Sequence, residues 1–271
     1  MELIKTALYG VVEGITEWLP VSSTGHIILL GEFLPLNVTP EFMELFLVVI
    51  QLGAILAVVV LFWGQLFPFS FGERPVIRKD IFVMWFKVAV ACIPAVVVEV
   101  LWGDEIEVKF YHYGTVASAL IIVGILFIAV EHLNKNRQPS VTNIAGITYR
   151  TALIIGLFQL AAAVFPGTSR SGATILGALL LGVSRTAAAE FTFFLAVPVM
   201  FGASLYKLYK FGFAFSRPEL LILAIGMAVA FIVSLAVIRF LMGYIKKHNF
   251  VPFGWYRIVL GTAVFVYFFS R

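Results

Sequence analysis

The chain has 271 residues, 61% of them hydrophobic and only 13% charged, with a formal net charge of +4. Soluble domains hold about 45–50% apolar and about 25% charged residues, so this composition excludes a soluble globular protein, and the mild charge gives no sign of nucleic-acid binding. Long unbroken apolar runs fit membrane-spanning helices and not the alternation of barrel strands; the expectation is an all-α polytopic membrane protein forming a single membrane domain.

In chain order, the first apolar stretch, 3–34, is broken by a polar turn. Residues 10–26 read GVVEGITEWLPVSSTGH. The first run carries Glu13 and Glu17 and has no basic n-region, which argues against a cleaved signal peptide. Each half is about fifteen residues, about 22 Å as a helix, too short to cross a bilayer. A re-entrant helix–turn–helix hairpin is expected, of the kind that survives at depth only where it lines a protein cavity. Full spans follow at 42–66, 82–102 and 114–133. The stretch 147–182 repeats the broken pattern, interrupted by PGTSRSGAT at 166–174. Spans at 187–209, 219–242 and 251–269 complete six transmembrane helices. Pro94 and Pro198 are expected to kink their spans. The single cysteine, Cys92, cannot form an internal disulfide and reads as packing.

The two broken stretches match at an ungapped offset of 146. Gly10 falls on Gly156, Pro20 on Pro166, Ser23 on Ser169 and Gly31 on Gly177, while Glu13 faces Gln159 and Glu44 meets Glu190. Repeat 1 (1–134) and repeat 2 (147–271) each hold one hairpin and three spans. Because three is odd, the repeats enter from opposite sides. This inverted-topology repeat brings the two polar turns tip to tip near the midplane. Loops 67–81, 134–150, 183–186 and 243–250 share a side with nine lysines and arginines, Arg74 among them. The other side has six, Arg271 included, together with Asp104, Glu105 and Glu107. The richer side is expected to be cytoplasmic, which opens the first hairpin to the outer, periplasmic or extracellular, face.

Glu13 and Glu17, at i and i+4, share a helix face with Cβ atoms about 5–6 Å apart. Each charge at membrane depth costs roughly 2.5–3.5 kcal/mol on insertion scales, so such a pair needs a purpose. A divalent cation, Mg²⁺ or Ca²⁺, is the natural partner for oxygen ligands. Capping explains one of Ser22, Ser23 and Thr24, but not three hydroxyls plus His26, which lies one helical turn beyond Ser23. The second turn resembles a nucleotide P-loop in its glycines, yet it lacks the lysine and a preceding strand. Its backbone amides, helix N-terminus and planar Arg170 guanidinium nonetheless suit phosphate. Gln51, Gln159, Glu190 and Ser204 read as interhelical hydrogen-bonding groups. Tyr256–Arg257 reads as a headgroup contact or a snorkelling pair. A carboxylate pair, a hydroxyl and a phosphate-binding arginine in one cavity make a phosphoryl-transfer site, and its setting in lipid implies a lipid-tailed substrate.

These residues carry a family resemblance. The motifs E-G-x-T-E-[WF]-L-P-V-S-S-T-G-H and P-G-x-S-R-S-G-A-T, with Q-L-G-A-I-L at 51–56, closely resemble the undecaprenyl-pyrophosphate phosphatases of the bacitracin-resistance type, over essentially the whole chain. The resemblance implies a bacterial plasma (inner) membrane hydrolase. It would convert undecaprenyl pyrophosphate to the monophosphate carrier and inorganic phosphate, recycling the carrier for cell-wall synthesis and conferring bacitracin resistance. It also implies Mg²⁺ or Ca²⁺ dependence and motif residues Glu13, Glu17, Ser23, Thr24, His26, Ser169 and Arg170. On this reading Ser23 is the nucleophile, and Glu17 takes its proton or holds metal together with Glu13. Arg170, Ser169 and the amides near Gly172 bind the diphosphate, with Thr24, Thr168 and Ser171 beside them. His26 is acid or nucleophile; the sequence does not choose between serine and histidine. A secondary transporter or lipid flippase would share the inverted repeat but would not need this catalytic set. An intramembrane serine protease would lack a use for Arg170. Homodimerisation and prenyl-length preference stay open.

Overall fold

A computed structural model of the chain describes residues 1–69 and 77–270. Arg74 and Arg271, both in the charge count above, lie outside the described residues. Among the described residues there are helices and two isolated β-bridges but no strands. The order is α1 (Glu2–Thr16), α2 (Ser23–Phe33), α3 (Pro40–Leu61), the single turn α4 (Trp63–Leu66), α5 (Lys79–Phe110) and α6 (Tyr113–Leu133). Then come α7 (Tyr149–Val164), α8 (Arg170–Leu180), α9 (Arg185–Phe211), α10 (Arg217–Ile245) and α11 (Val251–Phe269). Six of these, α3, α5, α6, α9, α10 and α11, are long and apolar enough to cross a membrane. The chain is a multi-pass helical membrane protein.

The short helices fall where the polar turns predict: α1 and α2 have 15 and 11 residues, α7 and α8 have 16 and 11. At 1.5 Å per residue none covers a hydrocarbon core of about 30 Å. Two boundaries differ from the sequence expectation. The span expected at 42–66 ends at Leu61, and Trp63–Leu66 forms its own turn. The span expected to stop at 102 continues to Phe110. Beyond Trp102 the chain turns polar (Asp104, Glu105, Glu107, Lys109), which ends the apolar run without ending the helix, because these are adequate helix formers. Pro94 and Pro198 sit inside α5 and α9, which run through them.

The register between the hairpins also shifts. Among the described residues, the two non-glycine residues with positive φ are Ser22 (74°) and Ser169 (69°), 147 apart (169 − 22), and they are the N-caps of α2 and α8. The ungapped offset of 146 therefore gains one residue inside the second turn, where Gly167 takes a φ of +92° that suits glycine alone. Ser23 is thus equivalent to Arg170, not to Ser169: each is the first residue of its helix.

Small residues let the helices meet closely. A Cβ on Gly124 would come within 2.6 Å of the Gly254 carbonyl oxygen, and one on Gly254 within 2.7 Å of the Gly124 carbonyl oxygen, so α6 and α11 pack backbone to backbone. One end of the bundle is tied by polar contacts between connections. Arg185 bonds the buried Glu131 carboxylate through Nε at 2.8 Å, and Glu131 also accepts from the Phe250 N–H at 3.0 Å. Asn134 reaches the Leu179 carbonyl at 3.1 Å, and Lys87 Nζ donates to the Ala145 carbonyl at 3.1 Å. The connections after α6, α8 and α10 thus lie at one end with the start of α5, the same grouping used in counting loop charges. At the other end Lys5 Nζ donates to the Pro35 carbonyl at 2.7 Å, and the Asn37 N–H donates to Glu2 Oε2 at 2.9 Å.

Candidate active site

The two polar turns meet. Glu17 ends α1 and points its carboxylate into the junction, 6% exposed. Its Oε2 accepts from Ser23 Oγ at 3.1 Å, and its Oε1 accepts from Arg170 Nη2 at 3.0 Å. The first residues of α2 and α8 therefore converge on one carboxylate, one on each oxygen. Arg170 Nη1 donates to the Thr192 carbonyl of α9 at 2.8 Å, which fixes the plane of the guanidinium. Ser171 Oγ donates to the Glu17 carbonyl at 3.2 Å, so the second turn grips backbone and side chain of the same residue.

A second arginine holds the junction from behind. Arg257 of α11 is fully buried. Its Nη1 donates to the Pro20 carbonyl at 3.1 Å, and its Nη2 donates to those of Gly167 at 2.8 Å and Thr168 at 2.9 Å. The expectation that Arg257 snorkels or meets a headgroup is overturned. Its partners are backbone carbonyls of both turns, which no side-chain motif announces. The only hint in the sequence is an arginine well inside a span with no acidic residue a turn away.

His26 is bound on both ring nitrogens. Nδ1 lies 2.7 Å from the Ser22 carbonyl oxygen and Nε2 lies 2.6 Å from the Tyr256 hydroxyl, with the two rings nearly parallel at 6°. The structure thus gives His26 partners other than Ser23. Tyr256 enters the site through it, a role the sequence did not suggest. Thr24 meets the Tyr111 hydroxyl at the end of α5.

The helix N-termini differ. Ser169 caps α8, accepting from the Gly172 N–H at 3.2 Å, and shares a 3.1 Å hydroxyl contact with Ser171. The Gly172 amide, expected to bind phosphate, is thereby committed inside the protein. Ser22 makes no such cap on α2, and the first amides of a helix have no intrahelical acceptor. The α2 N-terminus, beside Ser23, is thus the more open anion cradle. Four of the buried atoms without a hydrogen-bond partner among the described residues belong to this set: Glu13 Oε1, Ser22 Oγ, Arg170 Nε and Arg257 Nε. Most buried polar groups in native structures are satisfied, so this concentration marks a site built for a polar ligand.

The donor set bears on a metal. Among the described residues no three His, Cys, Asp or Glu side chains cluster as a cage. Glu13 (2% exposed) and Glu17 supply two carboxylates one helical turn apart, and Glu13 Oε1 is unpartnered. That set suits a hard cation such as Mg²⁺, which takes one or two carboxylates and completes its shell with water and phosphate oxygens.

Fold and site together define a polytopic helical membrane protein with a buried carboxylate–hydroxyl–guanidinium centre where two broken helices meet. The family model described as "Bacitracin resistance protein BacA" matches residues 6–263, and the chain belongs to that family. It is 62% identical over 271 residues to a protein of Desulfitobacterium hafniense named undecaprenyl-diphosphatase, covering 100% of this chain and 98% of that protein. An undecaprenyl-diphosphatase 1 of Clostridium acetobutylicum is 60% identical, with 99% and 98% covered. An undecaprenyl-diphosphatase of Enterococcus faecalis is 58% identical, with 97% and 96% covered.

Proposed function

We infer that the chain is an undecaprenyl-diphosphatase, a membrane hydrolase that removes the terminal phosphate of undecaprenyl pyrophosphate. This recycles the lipid carrier for cell-wall synthesis and confers bacitracin resistance. The reading rests on relatives of that name matched over nearly the full length of both chains. The carrying structural observation is the Glu17 carboxylate, which takes Ser23 on one oxygen and Arg170 on the other.

That geometry supports a two-step phosphoryl transfer. Ser23 Oγ forms a bond to the terminal phosphorus as its proton passes to Glu17. The bond to the bridging oxygen breaks, and undecaprenyl phosphate departs with the electron pair. Water then bonds to the phosphoserine phosphorus as the Oγ–P bond breaks, Glu17 returns its proton to Ser23 Oγ, and inorganic phosphate leaves carrying the protons of the water. Arg170 exchanges Glu17 for phosphate oxygens, and the uncapped N-terminal amides of α2 face the same charge. Ser169 and Ser171 shape the second turn, Thr168 and Gly172 hold its backbone, and Thr24 stands beside the nucleophile.

Glu13, with Glu17, would hold Mg²⁺ or Ca²⁺, which supplies charge neutralisation on the phosphate oxygens. The formal charges of Glu13, Glu17, Arg170 and Arg257 cancel, so an anionic diphosphate is best accommodated together with a divalent cation. The duplicated short–short–long element order supports an inverted repeat of 1–134 and 147–271 with re-entrant hairpins. The loop charge count supports a site opening to the outer face of the bacterial plasma membrane.

The test is purified protein with undecaprenyl pyrophosphate. Equimolar inorganic phosphate and undecaprenyl monophosphate are the expected products, and a pure transporter or flippase releases neither.

A further inference from the structure

His26 carries two hydrogen bonds that leave its ring no free nitrogen. The Ser22 carbonyl can only accept, so the 2.7 Å contact requires a proton on Nδ1. In the neutral ring Nε2 is then an acceptor, and the partner at 2.6 Å, the Tyr256 hydroxyl, donates to it. Ser22, whose carbonyl is held in this way, has a φ of 74°, a left-handed conformation that serine adopts only when its surroundings impose it. Two residues earlier the Pro20 carbonyl is held by Arg257 at 3.1 Å. Tyr256 and Arg257 are neighbours on α11, so that helix pins the first turn at two carbonyls. The next residue after Ser22 is Ser23, with its hydroxyl on Glu17 at 3.1 Å.

We propose that His26 and Tyr256 are positioning residues that lock the Ser22 carbonyl and thereby aim Ser23 at Glu17, and that the imidazole is neither the nucleophile nor the general acid. This rests on the phosphoryl-transfer reading above. The chemistry agrees. The proton of Ser23 already has an acceptor in Glu17, and the departing group is a phosphate monoester, stable as an anion and in no need of a proton donor. A nucleophilic nitrogen would need a free lone pair. Here one nitrogen carries a proton bonded to a carbonyl and the other is covered by a phenol.

The test uses full-length protein in detergent and separates position from chemistry. Asparagine places an amide N–H where Nδ1–H stood, and glutamine places one where Nε2 stood. A positioning role predicts that His26→Asn keeps kcat within about fivefold of wild type, while His26→Gln and His26→Ala lose more than about tenfold. Tyr256→Phe should lower kcat about three- to tenfold, the worth of one neutral hydrogen bond, with KM within about twofold.

Side-chain ¹⁵N spectra of the histidine-labelled protein give a readout independent of turnover. His26, assigned by its loss in His26→Asn, should be the Nδ1–H tautomer in wild type and remain so in Tyr256→Phe, with only the Nε2 resonance shifted by the loss of its donor. An Nε2–H tautomer in wild type overturns the proposal, even where a variant fails to fold. Equal inactivity of folded asparagine and glutamine variants overturns it too, and returns the imidazole to the reaction. Absence of phosphate release by wild type would instead defeat the underlying reading, while the tautomer remains measurable.

Discussion

Glu17 and Arg170 are 153 residues apart in the chain and 3.0 Å apart in the fold. Their side chains are 7% and 12% exposed, so each depends on the other for its charge. In the phosphatase account this ion pair is the resting state of the site. Substrate phosphate competes for the guanidinium and frees the Glu17 oxygen that faced it.

Arg170→Lys tests that exchange. Lysine keeps the charge but not the planar fork that spans Glu17, the Thr192 carbonyl and a phosphate. A charge-assisted hydrogen bond contributes about 1.5–3 kcal/mol, so kcat/KM should fall at least about tenfold. A loss mainly in kcat marks a contact that tightens in the transition state, and one mainly in KM marks ground-state binding. Kinetics within twofold of wild type would leave Arg170 as a counter-charge to Glu17 and nothing more.

Glu13 is assigned to the cation together with Glu17 because its Oε1 is buried without a hydrogen-bond partner among the described residues. Glu13→Gln should cut activity by about 10–100-fold or more and raise the concentration of Mg²⁺ or Ca²⁺ needed for half-activation. Excess chelator should stop wild-type turnover and re-addition should restore it. Full activity in chelator would remove the metal from the account.

Arg257 donates to three backbone carbonyls from the two turns. Arg257→Met strands all three, and each buried unsatisfied group costs about 1–3 kcal/mol. A lowered thermal midpoint in detergent, accompanied by loss of turnover, is the expected result. Arg185→Ala provides the contrast. It strands the Glu131 carboxylate, whose side chain is 2% exposed, with the Phe250 N–H as its remaining donor, so the loss approaches the roughly 3–5 kcal/mol of a broken buried pair. Stability should drop there while KM holds, because that pair ties the far connections and not the turns.

The six spans and the two pairs of short helices were legible because an apolar run of about twenty residues has few other uses, and polar turns interrupt two of the runs. Glu17, Ser23 and Arg170 were legible because charge and hydroxyls are expensive in such runs. Arg257 was not, since its partners are carbonyls that every residue carries. Tyr256 was hidden for a similar reason, as its contact lies 230 positions away at His26. The pairing of Ser23 with Ser169 failed because one extra residue fits in the second turn, and sequence identity does not record which serine is left-handed. The helical extension to Phe110 escaped notice because hydropathy reports the end of the membrane, not of the helix.

Orientation is checked by cysteine labelling in cells at His112, between α5 and α6, and Asn136, between α6 and α7; both are exposed and non-helical. Gly103, being helical, is the poorer probe. With the first turn reached from outside, an impermeant reagent should modify position 112 and spare 136. The opposite pattern would invert the molecule.

The central claim is that Ser23, activated by Glu17, removes the terminal phosphate of the lipid diphosphate. Its most direct test is the rate of phosphate release from undecaprenyl pyrophosphate by purified wild type and Ser23→Ala, compared at saturating Mg²⁺. Loss of a nucleophile leaves only binding and charge stabilisation, so the alanine variant should fall by about a thousandfold or more while retaining the wild-type thermal midpoint within a few degrees. A folded Ser23→Ala variant that turns over within tenfold of wild type would contradict the account.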